Sequence, residues 1–174
     1  MSKINVRTRL GILLSTLVLL AGGAALSVTA ASAAAPAPAA AVAAAPASGS
    51  IVMLPPARIA DSRAWSNLRT FNAYESEDMQ VQGHGGIPAF PTRTAGVILN
   101  VTVVPVQTWY SPGGYLTLWA SGGPRSEVSQ VSFNYYNTSS EVIVQPSDDG
   151  SLRIFNGSPG YVDVLVDVEG YIAA

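Results

Sequence analysis

The chain has 174 residues, of which 48% are hydrophobic and 11% charged, with 16 glycines, 12 prolines and no cysteine. This length allows one domain of ordinary size. The absence of cysteine excludes a disulfide framework and every site that needs a thiolate. High apolar content and a net charge of −2 argue against a chain that is disordered throughout.

The first 33 residues have the three regions of a secretory signal peptide. A basic start precedes an apolar stretch from residue 10 to 28, and residues 31–33, Ala-Ser-Ala, form a small-residue cleavage site. We therefore expect cleavage after Ala33 and a secreted, extracellular protein, associated with the cell wall. The alternative is a retained signal anchor, because the apolar stretch approaches the roughly 18 to 20 residues that span a bilayer.

Residues 34–50 contain only Ala, Pro, Val, Ser and Gly, which is typical of an extended linker: either a spacer that holds a module away from a surface or an inert connection. Cleavage before this linker removes Lys3, Arg7 and Arg9 and leaves six arginines against 11 acidic residues, a net charge of −5. Nucleic acids and anionic lipids both require a basic surface. We therefore expect no nucleic-acid partner, and no membrane partner after signal cleavage.

From residue 51 onwards the apolar pattern has a period of two, as in β-strands. In Tyr161–Val168 four alternate valines fall on one face, and Ala95–Val104 is rich in β-branched residues. Ile51–Leu54 is predicted to be a short edge strand that Pro55-Pro56 stops. The remaining predicted strands are Met79–Gln82, Tyr115–Trp119, Val128–Asn134, Glu141–Gln145 and Leu152–Phe155.

Clusters of glycine, proline and aspartate separate these strands at the spacing of an all-β domain. Asp149-Gly150, between two apolar runs, predicts a hairpin. About eight or nine short strands predict an all-β fold for residues 51–174, namely a two-sheet antiparallel β-sandwich with Greek-key or jelly-roll connections.

Five segments resemble, in order, the PARLLDTR, GxGGVPA, AVxLNVT, GYLTVWP and DVxxDVxGYY motifs of a β-sandwich module of secreted actinobacterial proteins. They are Pro56–Arg63 (PARIADSR), Gln82–Ala89 (QGHGGIPA), Ala95–Thr102 (AGVILNVT), Gly114–Trp119 (GYLTLW) and Asp163–Tyr171 (DVLVDVEGY). The resemblance implies an extracellular β-sandwich with no established catalytic activity, often attached to wall hydrolases or glycosidases or repeated in surface proteins. Ala60 and Ser62 depart from the leucine and threonine of the first motif.

The charged residues of the first and last motifs predict a structural latch formed by Arg58, Asp61, Arg63, Asp163 and Asp167. Asp163 and Asp167 share one face of the last strand about 13 Å apart, too far for an acid–base pair or for joint metal ligation. Because an unpaired buried carboxylate is costly, we expect Arg58 or Arg63 to bind one of them. The alternative is a calcium site of Asp61, Asp163 or Asp167 with loop carbonyls; otherwise we expect no metal and no cofactor.

No catalytic set emerges from the residue counts. The one histidine, His84, lies in the turn Gly83–Gly86, and one histidine without cysteine excludes a zinc site. Residues 51–174 contain no G-x-S-x-G nucleophile elbow. The glycines around His84 lack the lysine and helix of a phosphate loop, and we expect them to allow positive φ in a turn. We therefore predict that the protein is not an enzyme.

Aromatic residues concentrate in or beside the predicted loops: Trp65, Phe71, Tyr74, Trp109, Tyr110, Tyr115, Trp119, Tyr135 and Tyr136. Exposed rings stack on sugars and anchor interfaces, and the best ligand-binding candidates are Trp109-Tyr110 and Tyr135-Tyr136. The alternative is that these rings cover the ends of the sandwich. The sequence favours a non-catalytic secreted module that binds or decorates the cell envelope through glycan. The second hypothesis is a structural or protein–protein interaction module of the extracellular surface, whose partner is a surface protein.

Overall fold

The computed structural model describes residues 47–106 and 113–174. The predicted signal peptide and most of the linker lie outside the described residues. The strands are β1 (Ile51–Asp61), β2 (Ser76–Gln80), β3 (Thr94–Pro105), β4 (Gly114–Ala120), β5 (Val131–Phe133), β6 (Thr138–Val144), β7 (Ser151–Asn156) and β8 (Val162–Ala173). A single turn of 3-10 helix, Ser62–Ala64, follows β1. No helix in the described part of the chain is long and apolar enough to cross a membrane.

The strands form two four-stranded sheets, with the order β1-β8-β3-β6 in the first and β2-β7-β4-β5 in the second. All neighbouring strands are antiparallel. The predicted two-sheet antiparallel β-sandwich is therefore confirmed. Of the two connection patterns expected, the strand order is that of a jelly roll, in which successive strands alternate between the sheets for most of the chain.

The core lies between the inner faces of the two sheets. Every second residue of β8 from Val162 to Val168 is fully buried, as the period-two pattern predicts. These valines belong to one cluster with Val97 and Leu99 of the first sheet and with Leu116 and Ile154 of the second. Burial of this apolar surface is the main force that holds the two sheets together.

The prediction that Pro55-Pro56 stops β1 is wrong. The strand continues to Asp61, because its pairing with β8 shifts between Met53 and Ala57 and leaves both prolines without a partner. A bulge of this kind accommodates residues that have no N–H to donate. β1 is nevertheless an edge strand, which is the position where proline is tolerated.

The hairpin predicted at Asp149-Gly150 is also wrong. The turn is tight, with the Gly150 N–H donating to the Ser147 carbonyl at 2.8 Å and a φ of 80° at Gly150. However, β6 pairs with β3 and β7 pairs with β2 and β4, so the turn joins two different sheets. An Asp-Gly pair specifies the backbone of a turn, but the pairing of the flanking strands depends on distant residues.

Candidate functional site

One end of the sandwich carries five exposed tyrosines. Pro105 pairs with Val162 in the first sheet, and Gly114 pairs with Phe133 in the second. The β3–β4, β5–β6 and β7–β8 connections therefore lie at the same end. We call this the tyrosine end; its tyrosines have between 39% and 64% of their surface exposed, and they are Tyr74, Tyr115, Tyr135, Tyr136 and Tyr161.

Backbone hydrogen bonds tie the connections of the tyrosine end to one another. The Tyr74 N–H donates to the Ser158 carbonyl at 3.2 Å, and the Val106 N–H donates to the Tyr161 carbonyl at 3.1 Å. The Gly157 N–H donates to the carbonyl of Tyr115 at 2.8 Å. These bonds fix the loops that carry Tyr74 and Tyr161 and join the β7–β8 connection to Tyr115 in β4.

Tyr135 and Tyr136, two of the predicted ligand-binding residues, lie side by side in the β5–β6 connection. Their ring centroids are 4.3 Å apart and tilted by 46°. The Tyr136 N–H donates to the Asn134 side chain at 3.0 Å, and the Thr138 hydroxyl donates to the Tyr136 carbonyl at 3.2 Å. The other two predicted residues, Trp109 and Tyr110, lie outside the described residues.

Asn156 is a buried amide that holds two connections of the tyrosine end together. Its side-chain nitrogen donates to the carbonyls of Asn72 and Gly160, both at 2.9 Å. Its side-chain oxygen accepts from the N–H and the hydroxyl of Ser158, at 3.1 and 2.8 Å. All the hydrogen-bonding positions of the amide are used. Sequence reasoning missed this role, because Asn72 lies 84 residues away along the chain.

Tyr74 adopts a left-handed backbone conformation, with φ of 56°, which is uncommon for a large residue. The turn is held by Glu75, whose carboxylate accepts from the N–H and the side-chain amide of Asn72, both at 2.7 Å. These bonds, the backbone one first, lower the pKa of Glu75, and Arg69 adds a further bond at 3.0 Å. Exposed residues in such conformations occur often at functional sites.

Of the five predicted latch residues, the structure brings Arg58 and Asp167 together across β1 and β8. The Arg58 Nε and Nη2 atoms donate to the two carboxylate oxygens of Asp167 at 2.7 and 2.9 Å. Arg58 also contacts Asp61 at 3.4 Å. This bidentate geometry is the strong form of a charge-assisted hydrogen bond.

Arg63 and Asp61 form a second bidentate pair, at 2.9 and 2.7 Å, but within one turn of the chain. The Asp61 carboxylate also accepts from the backbone N–H of Arg63 at 3.1 Å, which caps the short helix. The hydrogen bonds from Arg63 lower the pKa of Asp61 from 3.8 to about 2. This pair is local, so Arg63 does not connect the first motif to the last.

Asp163 binds hydroxyl groups and not an arginine. Its carboxylate accepts from Ser62 Oγ and Thr70 Oγ1, both at 2.7 Å, and Ser62 Oγ accepts from the Val164 N–H at 2.9 Å. In the described part of the chain no three His, Cys, Asp or Glu side chains form a metal-binding group. The carboxylates proposed for calcium instead bind guanidinium and hydroxyl donors.

His84 lies in the β2–β3 connection, at the end of the sandwich opposite the tyrosine end, and it is exposed. The surrounding Gly83, Gly85 and Gly86 have φ of 79°, 57° and 92°. The prediction that these glycines permit positive φ in a turn is confirmed.

The outer face of the first sheet carries a second feature, an apolar row that is exposed at the two edge strands β1 and β6 and buried at Gly170 and Ile98 between them. Met53 pairs with Gly170, Gly170 with Ile98, and Ile98 with Ile143, across all four strands. Met53, Ile143 and neighbouring Ile51 are 57% to 66% exposed. Sequence reasoning did not find this row, because it depends on the register of strands that are distant in sequence.

Comparison of the chain with protein-family models, with curated proteins and with solved structures finds no match. The strand order alone does not select a function, since jelly rolls and other sandwiches carry many unrelated activities.

Proposed function

We propose that the protein is a non-catalytic secreted module that binds or decorates the cell envelope through glycan held at the tyrosine end. The observation that carries the proposal is the presence of five exposed tyrosines at one end of the sandwich. Of the six tyrosines in residues 47–106 and 113–174, five are exposed at this end and Tyr171 is buried.

Tyrosine suits the recognition of sugars for physical reasons. Its ring offers a flat apolar surface and its hydroxyl forms hydrogen bonds, so it contacts both faces and edges of a polar ring. It has only two side-chain torsions, and ordering it on binding costs little entropy. Five such residues at one end of the sandwich supply contact area for a ligand. Binding through them does not depend on long-range electrostatic attraction, which an acidic chain does not offer to an acidic or neutral sugar.

Export to the envelope is part of the proposal. It is supported by the basic, apolar and small-residue regions of residues 1–33, by the Ala/Pro-rich linker, and by the resemblance to the actinobacterial module. We expect intact-mass analysis of protein from culture medium to show a start at or near Ala34. Protein that retains residues 1–26 and stays with the membrane fraction would instead support the anchor.

The proposal includes no catalytic step. The single histidine is exposed on a turn at the opposite end, and the chain has no cysteine. Asp61, Asp163 and Asp167 of the first and last motifs bind arginine and hydroxyl groups. Binding is the chemistry that the exposed aromatic rings support best.

The test is a quantitative pull-down of the purified protein with isolated cell walls and a panel of insoluble polysaccharides. We expect the wild type to bind, and Tyr135→Ala/Tyr136→Ala to lose at least about 10-fold in affinity, since aromatic anchors dominate such contacts. Trp109→Ala/Tyr110→Ala is run beside it. Phe90→Ala, an exposed aromatic at the opposite end, is the matched control and should bind as the wild type does.

A second candidate function, a protein–protein interaction module, is favoured by the apolar row on the first sheet. Uncharged Ile51, Met53 and Ile143 can meet an identical surface of a second copy without like-charge repulsion, as a symmetric dimer requires. Light scattering after size exclusion would then show a dimer that Met53→Asp converts to a monomer. A wild type that stays monomeric at high concentration would contradict this candidate.

A further inference from the structure

An arginine on the outer face of the second sheet is stacked on an aromatic ring. The guanidinium carbon of Arg125 lies 4.3 Å from the ring centroid of Phe155. Phe155 is almost fully buried, yet it is not part of the core between the sheets. Its ring is therefore covered from outside, and the exposed Arg125 forms part of that cover.

The β4–β5 connection that carries Arg125 is fixed to the sheet at both ends. The Gln130 side chain accepts from the Leu118 N–H and donates to the Leu118 carbonyl, both at 2.9 Å. The Trp119 indole donates to the Gly123 carbonyl at 3.1 Å. Arg125 is thus placed by a braced loop, and it needs little ordering when it binds a ligand.

Tyr115 also contacts this phenylalanine, with ring centroids 6.2 Å apart and the rings tilted by 56°. Its ring packs over Gly157, where an added Cβ would clash with Tyr115 Cζ. Glycine at this position therefore leaves the space that the tyrosine ring occupies. Tyr115, Phe155 and Arg125 together form a surface with a ring beside a cation, which we call the Arg125 patch.

The charges around the patch leave Arg125 available for an anion. Within residues 47–106 and 113–174 no carboxylate forms a salt bridge with Arg125. Arg153, two residues from Phe155 on the same strand, has a single loose contact with Asp78 at 3.7 Å. Because the chain as a whole is acidic, its overall field does not attract anions, and only local groups such as these arginines offer positive charge to one.

We propose that the Arg125 patch binds an acidic group of the glycan, a carboxylate or a phosphate, while a neighbouring sugar ring stacks on Tyr115. A guanidinium stacked on a ring keeps its N–H edge free for two parallel hydrogen bonds to such an anion. The inference rests on the proposed function, and it adds the ligand class: an acidic polymer in preference to a neutral one.

The test measures binding of purified protein to polygalacturonate and to its methyl ester, and to dextran phosphate and neutral dextran. In at least one pair, we expect the protein to bind the acidic polymer about 5-fold or more tightly than the neutral one. Its affinity for the acidic polymer should fall as the salt concentration rises. A preference within the first pair identifies the carboxylate as the recognised group, and a preference within the second identifies the phosphate.

Arg125→Gln should remove the preference for the acidic polymer, and Arg125→Lys, which keeps the charge but loses the planar stack, should remove part of it. Arg93→Gln is the matched control, since it removes the same charge from an exposed pair with Asp148 at the opposite end. Thermal melting confirms that each variant is folded. Gly157→Ala should displace the Tyr115 ring and weaken binding to the same polymer.

Equal affinity for acidic and neutral polymers, or equal losses in Arg125→Gln and Arg93→Gln, would overturn the inference. If the protein still binds cell walls in that case, the proposed function stands without an acidic specificity. If it binds neither walls nor any polymer, the proposed function and the inference fail together.

Discussion

Two polar networks join distant segments of this chain, and they differ in burial and in charge. At the tyrosine end, the neutral amide of Asn156 is fully buried and connects the β1–β2 and β7–β8 connections. On the outer face of the first sheet, Arg58 and Asp167 form a charged pair whose side chains are 43% and 22% exposed. The hydrogen bonds in the two networks have similar lengths.

The comparison indicates that solvent exposure decides how much a polar contact contributes to the stability of the fold. Water solvates an exposed charge almost as well as its partner does, so an exposed ion pair adds little stability. A buried amide has no such substitute, and its removal leaves its partners without hydrogen bonds. Mutation of the buried Asn156 network should therefore lower the free energy of unfolding more than mutation of the exposed Arg58–Asp167 pair.

The largest effect is expected for Asn156→Ala. The substitution leaves the Ser158 N–H without its acceptor and takes one donor from each of the Asn72 and Gly160 carbonyls. We expect the free energy of unfolding to fall by about 3 kcal/mol in urea denaturation. Asn134→Ala, an exposed asparagine with one hydrogen bond to Tyr136, is the control. Equal losses in the two variants would show that burial of an asparagine side chain does not decide how much it contributes to stability.

Asp163→Ala should have an intermediate effect. The half-buried carboxylate accepts from two hydroxyls on the β1–β2 connection, so its removal frees Ser62 and Thr70 at once. We expect a loss of about 2 kcal/mol, the scale of hydrogen bonds to a charged group. Thr70→Val, which removes one of the two bonds, should cost less than Asp163→Ala. A larger loss in Thr70→Val would mean that packing, and not the carboxylate, holds the connection.

Arg58→Ala should cost about 1 kcal/mol or less, because the pair with Asp167 is open to solvent. The loss should shrink further in high salt, which screens exposed charges. Arg93→Ala, which breaks a more exposed pair with Asp148, should change the melting temperature less. A loss in Arg58→Ala as large as that in Asn156→Ala would contradict the comparison.

The smallest effect concerns pH. The pKa of Asp61 is about 2 in the fold, below its ordinary value of 3.8, chiefly because Arg63 donates to the ionised form. A lowered pKa gives stability that is fully present above pH 3.8 and is lost as pH falls towards 2. Asp61→Asn should therefore reduce the fall in melting temperature between pH 4 and pH 2.

Other carboxylates modify this profile without abolishing it. Hydrogen bonds from the Ser147 and Ser151 side chains lower the pKa of Asp149, which acts in the same direction as Asp61. Burial raises the pKa of Glu77, so protonation of Glu77 opposes the loss of stability at low pH. An unchanged pH profile in Asp61→Asn would show that the Arg63 bond does not favour the charged form.

Features that depend on near neighbours were predictable from the sequence. The alternation of valine and polar residues in β8 assigns each side chain to a face, because strand geometry repeats every two residues. Turn positions followed from glycine, proline and aspartate, and the positive φ of Gly83, Gly85 and Gly86 agrees with that reading. The all-β class followed from the number and spacing of such segments.

Features that depend on distant partners were not predictable. The bulge that carries Pro55-Pro56 requires the register between β1 and β8, and the turn at Asp149-Gly150 joins strands whose partners lie elsewhere. Arg125 meets Phe155 only because the β4–β5 connection folds back over the second sheet. No local pattern in the sequence distinguishes this arginine from the others.

Two-dimensional NMR tests directly whether the tyrosine end binds glycan. Amide chemical-shift changes are mapped on the structure while soluble fragments of cell-wall glycan are titrated into the protein. The account predicts saturable shifts concentrated at the tyrosine end, around Tyr74, Tyr135, Tyr136 and Tyr161, with the turn around His84 unchanged. Shifts confined to the apolar row of the first sheet, or no shifts with any fragment, would contradict it.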